Sequence, residues 1–289
     1  MLLIPVKYHK RKYPSHIEPE IDEIAGHFDV KRIFTHRNFS LHTEYSYGKR
    51  KLNTVLLNSY LTLKNSHNGG IPQLWHSDQW ALEFAYFVKS LCNSAIPTII
   101  EIHPPFSDYT KTIDRFLEIY KIFEESILSS FPECKILIEN RSGSMYKGGK
   151  FIISRGKHIR ELCNQISKKN LKLRIALDIP QLFTAYGGPL KLDPQYLENI
   201  LNRQNSLQSF TDGIHLWGKR RSVKGRMISH SGDLTSYFED HEKKEIFLKW
   251  IVNFLKDGKP RYFVPEVNSS DEDLHSIIND LEKMNIKFG

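Results

Sequence analysis

The sequence is poor in cysteine. It has three in 289 residues, Cys92, Cys134 and Cys163, far apart and with no CxxC pair. That excludes a disulfide framework and a cysteine-built zinc site, and it makes a reducing compartment the simple expectation. No apolar run approaches the ~18 residues of a membrane span. The opening stretch, MLLIPVKYHKRK, meets its charges too soon for a secretory leader. There is no internal repeat, no low-complexity tract and no linker that would mark a second domain. The expectation is therefore one soluble, cytoplasmic domain over residues 1–289.

What is present is a globular composition: 40% hydrophobic, 12% aromatic and 26% charged. A chain of this size buries roughly 75% of its unfolded surface. The 41 basic residues outnumber the 33 acidic ones, for a net charge of +8. That surplus favours a polyanionic partner such as nucleic acid but argues nothing about fold.

Apolar runs of strand length alternate with segments of helical period. Eight runs read as strands buried on both faces. They are LLIPV near the start, KRIFT from Lys31, NTVLL from Asn53 and PTIIEI from Pro97. KILIE from Lys135, KLRIALD from Lys172, DGIHL from Asp212 and RYFVPE from Arg261 complete the set. Helical spacing marks Ile21–Phe28, then segments around Trp80, Ile113, Ile159, Tyr196, Phe247 and Leu274. Ser77 or Asp78 is expected to open the second of these, Ser107 or Asp108 the third, and Asp193-Pro194 the fifth. The stretch 38–52 has no helical face. Eight strand–helix alternations in one chain of this length predict a closed (β/α)8 TIM barrel.

In such a barrel the C-terminal strand ends build the active site. Those ends carry His103, Glu139, Asp178, His215 and Glu266, and the loop after the seventh strand adds His230. Carboxylates buried together are costly unless a cation lies between them. One or two divalent ions are therefore expected, held by Glu139, Asp178, His215 and Glu266, with His103 and His230 beside them. Oxygen and imidazole donors suit zinc, manganese or iron. Glu139, His103 and His230 are the candidate catalytic residues.

The ring resembles the xylose-isomerase-like TIM-barrel superfamily, nearest the apurinic endonuclease IV family. The family's Glu-Asn-x-x-Gly is similar to Glu139-Asn140-Arg141-Ser142-Gly143. Its Asp-x-x-His-Leu-Phe is similar to Asp178-Ile179-Pro180-Gln181-Leu182-Phe183. Its Ser-Tyr-Leu after strand three is similar to Ser59-Tyr60-Leu61. The resemblance implies a metal-dependent phosphodiester hydrolase acting on DNA. That family binds three zinc ions, but Leu57, Gln181 and Ile228 stand where it has further ligands, so a mononuclear or dinuclear site is expected. The four-residue set also resembles that of the superfamily's sugar isomerases and epimerases. His215-Leu216-Trp217-Gly218 resembles a motif of multinuclear iron oxidases, and a nucleic-acid-binding protein with a decayed site is a further class.

The segment after His215 carries Lys219, Arg220, Arg221, Lys224 and Arg226. It is expected to be a loop at the rim that binds phosphate, because arginine pairs with phosphate bidentately. Tyr60, Trp75 and Trp217 are candidates for stacking on bases.

Overall fold

The computed structural model describes every residue except His36, Tyr47 and Lys49. Eight parallel strands close into a barrel with helices interleaved: β1 (Leu2–Lys7), β2 (Ile21–Gly26), β3 (Asn38–Thr43), β4 (Ile99–Ile102), β5 (Lys135–Glu139), β6 (Arg174–Asp178), β7 (Thr211–His215) and β8 (Arg261–Val264). Closure is made by β1 on β8, with Leu3 opposite Arg261 and Pro5 opposite Phe263. β4 and β7 are buried along their whole length, as parallel strands covered on both faces must be.

The chain divides into two compact units, Met1–Asp22 with Ala176–Gly289, and Glu23–Ile175. In the Glu23–Ile175 unit the main helices are α1 (Asp78–Cys92), α2 (Ile113–Ser130) and α3 (Gly156–Lys169). The Ser77 side chain accepts the Trp80 N–H and opens α1. That helix then buries Trp80, Phe84, Phe87, Val88 and Leu91, the three-and-four spacing of an amphipathic face. Trp75, Phe84, Phe116 and Phe123 pack edge to face or stacked, with centroids 5.3–5.7 Å apart. Each such pair adds about 0.5–1.5 kcal/mol beyond its buried area.

In the other unit the main helices are α4 (Pro194–Asn202), α5 (His241–Phe254) and α6 (Asp271–Lys283). Asp193, Asp240 and Ser270 cap them by accepting backbone N–H groups. Beneath the barrel Arg261 is fully buried. It pairs with Asp257 and donates to the carbonyls of Thr211, Gln208 and Lys259.

Several sequence expectations are corrected. Ile21–Gly26 is a strand, not the start of a helix. The window is short, and Val6 and Ile21 pair directly across β1 and β2. Gly26 also lets Leu41 approach to where a Cβ would lie at 2.8 Å, which a larger residue would block. The third barrel strand is Asn38–Thr43, within the stretch read as a featureless connection; Tyr47 and Lys49 of that stretch lie outside the described residues. KRIFT is irregular and NTVLL is a short helix, Thr54–Leu57, because Asn53 caps it. Thr112, not Ser107 or Asp108, caps α2. The backbone N–H groups of Ser107 and Asp108 instead bond Lys150 and Gly148.

Candidate metal centre

Within the Glu23–Ile175 unit, His42, His103 and Glu139 converge. His42 lies near the end of β3, His103 follows β4 and Glu139 ends β5. Glu139 Oε2 is 3.4 Å from His103 Nδ1 and 3.6 Å from His42 Nε2. Glu139 is fully buried, and Oε2 has no hydrogen bond among the described residues. One ligand atom from each of the three lies within 4.8 Å of the others, the spacing of a metal-binding triad. A buried carboxylate oxygen facing two imidazoles is the donor set that a zinc, manganese or iron ion satisfies.

The surroundings fix these groups. The Trp75 indole N–H donates to the His103 carbonyl at 2.7 Å, so the aromatic core holds the backbone that carries the histidine. Trp75 is buried and serves packing, not stacking on a base. His42 Nδ1 meets Glu23 Oε1 at 2.7 Å. Burial opposes the charged imidazole, but the Glu23 hydrogen bond and the charges of Glu23, Glu101 and Glu139 outweigh it and raise His42 to about 9. Arg141 Nη1 donates to Glu139 Oε1 at 2.6 Å.

His42 was missed by the sequence reading. Its signal, Leu41-His42-Thr43 at a strand end, was hidden because β3 itself went unrecognised. Leu57, where the resemblance expects a histidine, is buried in the short helix and ends no strand.

In the second unit, Asp178 ends β6, His215 ends β7 and Glu266 lies two residues beyond β8. His215 Nδ1 is 3.2 Å from Glu266 Oε1, and Glu266 Oε2 is 3.4 Å from His230 Nδ1. His230 Nδ1 also lies 3.0 Å from the Glu266 carbonyl oxygen. A carbonyl can only accept, so Nδ1 carries a proton, and in the neutral imidazole Nε2 is the acceptor nitrogen. Asp178 accepts the backbone N–H of Gln181 at 2.7 Å and the Trp217 indole N–H at 3.1 Å. Trp217 is buried and stacks on His230, ring centroids 4.1 Å apart, so it too orients site residues and does not await a base.

The basic segment is a β-hairpin, not an irregular loop. Lys219–Arg221 pairs antiparallel with Met227–Ser229. Arg220 pairs with Asp273 and Arg221 with Glu239. Lys219 donates to Thr184 Oγ1 at 2.9 Å, and burial pulls its ammonium down against the opposing charge of Asp178. Lys224 and Arg226 are exposed near the tip, and Ile228 is half exposed opposite Arg220. Tyr60 is held by α1: its hydroxyl is 2.6 Å from Ser90 Oγ and its ring packs edge-on to Phe87. The three cysteines are buried, which pushes each thiol up to about 12 and leaves them poor nucleophiles.

Neither a family model nor a curated protein matches the sequence. Solved structures do resemble the fold. The crystal structure of AsfvAP:AG matches with a TM-score of 0.51 at 12% identity, over 85% of each chain. A D-tagatose 3-epimerase-like protein gives 0.48 at 13% identity, over 94% of this chain and 91% of that one. An AP endonuclease of family 2 from Brucella melitensis gives 0.44 at 9% identity, over 81% of this chain and 85% of that one. At such identities the likeness is one of fold. The closed eight-strand order identifies the fold as a (β/α)8 TIM barrel, and the solved structures resemble the chain in that fold alone.

Proposed function

We propose that the chain is a metal-dependent phosphodiester hydrolase acting on DNA, with a reduced metal site. The observation that carries this reading is the convergence of His42 and His103 on the buried Glu139 Oε2. His42 supplies, from the end of β3, the histidine that the sequence resemblance expects at Leu57. Asp178, His215 and Glu266 end or follow three barrel strands in succession, β6 to β8. That placement supports them as a second ligand set, with His230 beside them. A divalent ion bound there supplies a Lewis acid and a water of lowered pKa.

The chain's own residues have further tasks. His230 contacts the leaving oxygen through Nε2 or completes the ligand set. Trp217 fixes Asp178 and His230 together. The hairpin cations Lys224 and Arg226 hold backbone phosphates, with Arg220 and Arg221 available once they leave their carboxylates. This cationic hairpin favours a polyanion over the neutral substrate of a sugar isomerase or epimerase, which needs only the four-residue ligand set.

The test combines elemental analysis of the purified protein with cleavage and anisotropy assays on intact, abasic and single-stranded oligonucleotides. Bound divalent metal and salt-sensitive binding of a strand are expected. Metal without strand binding at about 50 mM salt would move the reading to the isomerase class, because phosphate contacts are strongest at low salt. Protein without metal would favour a decayed site.

A further inference from the structure

We infer that Arg141 confines Glu139 to a single metal ion: the carboxylate serves the His42–His103 pair through Oε2 and does not bridge to a second ion. The inference rests on the metal-site reading above. Arg141 Nη1 donates to Glu139 Oε1 at 2.6 Å, while Oε2 is the oxygen that faces the two imidazoles. The two oxygens of one carboxylate are thus divided between a fixed cation and a ligand site.

A bridging carboxylate lends one oxygen to each of two ions. Here the second oxygen is taken by a guanidinium, which stays charged at any working pH and has no acceptor to offer. Another cation approaching Oε1 would compete for the same lone pairs and meet a positive charge within hydrogen-bond distance.

Arg141 is held in place. It is 6% exposed, its guanidinium carbon lies 4.2 Å over the Tyr45 ring and 5.8 Å from the Phe151 ring, and Phe151 stacks on Phe106. It also occupies one of the two free positions of the Glu-Asn-x-x-Gly signature, so the cation is a feature of this chain. A guanidinium replaces one of the charges that a multinuclear cluster would carry, and Arg141 acts as a positioning residue through Glu139.

The experiment uses the full chain, stripped of metal and titrated with Mn2+. It reads stoichiometry and affinity by elemental analysis after equilibrium dialysis, and spin coupling by electron paramagnetic resonance. The wild type is expected to show manganese without exchange coupling. Arg141→Met keeps the apolar stem against Tyr45 and Phe151 but removes the charge. It should bind manganese about 10-fold more tightly or better, the reverse of losing a charged hydrogen bond, and show the coupled spectrum of a carboxylate-bridged pair. Arg141→Lys should retain the uncoupled spectrum. If Arg141→Met does not fold, Arg141→Gln carries the same comparison with a neutral amide. A coupled pair in the wild type overturns the inference and leaves the hydrolase reading standing. So do an unchanged affinity and an uncoupled spectrum in the neutral variants. Wild-type protein that binds no manganese, zinc or iron overturns the metal-site reading, and the inference with it.

Discussion

The Trp217 indole N–H donates to Asp178 Oδ2 at 3.1 Å while the same ring stacks on His230 with centroids 4.1 Å apart. One side chain thus orients an acidic and an imidazole group of the candidate site. Partners that orient metal ligands are worth about 10–100-fold in metal affinity. Trp217→Phe keeps a ring against His230 and removes the donor together with part of the buried indole. Calorimetric titration with Zn2+ or Mn2+ should show a loss of that order, and a separate fall in melting temperature should report the buried volume removed. An unchanged affinity would mean that Asp178 needs no orienting partner, or binds no metal.

Glu139 and His230 should fail separately. Glu139→Ala removes the oxygen that faces both imidazoles, and elemental analysis should find the ion of the His42–His103 pair lost. His230→Ala should leave at least one ion, because His42, His103, Glu139 and the Asp178–His215–Glu266 set are untouched. Equal losses in both variants would show that the ligands are assigned to the wrong residues.

The hairpin should account for part of the salt dependence of DNA binding. Each phosphate contact contributes about −0.9 to the slope of log K against log salt for a duplex. Lys224 and Arg226 are exposed near the tip, while Arg220 and Arg221 each hold a carboxylate. Lys224→Ala with Arg226→Ala should flatten the slope by about 1–2 units. Arg220→Ala with Arg221→Ala should flatten it less, because those side chains must first leave Asp273 and Glu239. The reverse order would show that the ion pairs open on binding.

Asp257 and Arg261 give a stability test away from the site. Arg261 is fully buried, and removing the partner of a buried charge costs about 3–5 kcal/mol. Asp257→Asn should lose stability near the lower end of that range in urea unfolding, since three carbonyls still hold the guanidinium. The hydrogen bond from Arg261 lowers the Asp257 carboxyl below its ordinary range. A carboxylate lowered on folding stabilises above its unfolded pKa, about 3.9, and loses that contribution as pH falls through the lower folded value. The difference between wild type and variant should therefore be constant above about pH 5 and shrink in more acid solution.

Gly218 tests the path from the barrel to the hairpin. A Cβ there would lie 2.4 Å from the Gly232 carbonyl oxygen and 2.6 Å from that of Asp233. Both are backbone atoms that cannot turn aside. Gly218→Ala should cost about 1–3 kcal/mol or more and disturb Trp217, read by its fluorescence and by urea unfolding.

The sequence alone carried much of this. Continuous apolar strands alternating with amphipathic helices are a local pattern, and from β4 onward the strand ends at Glu139, Asp178 and His215 fall where that pattern puts them. The caps at Ser77 and Asp193 were legible for the same reason: one side chain and a nearby N–H decide them. The first third of the barrel was not legible. Ile21–Gly26 spaces its apolar residues like a helix, and only pairing with β1 makes it a strand. Asn38–Thr43 is too polar to announce itself, yet as β3 it brings His42 to Glu139. Partners distant in sequence also decided that Trp75 and Trp217 serve the protein interior, that Asp273 and Glu239 hold two hairpin arginines, and that His42 and His103 face Glu139. Composition and periodicity record what a segment prefers by itself. Which oxygen faces which nitrogen depends on contacts between strands far apart in the chain, and only tertiary packing sets those.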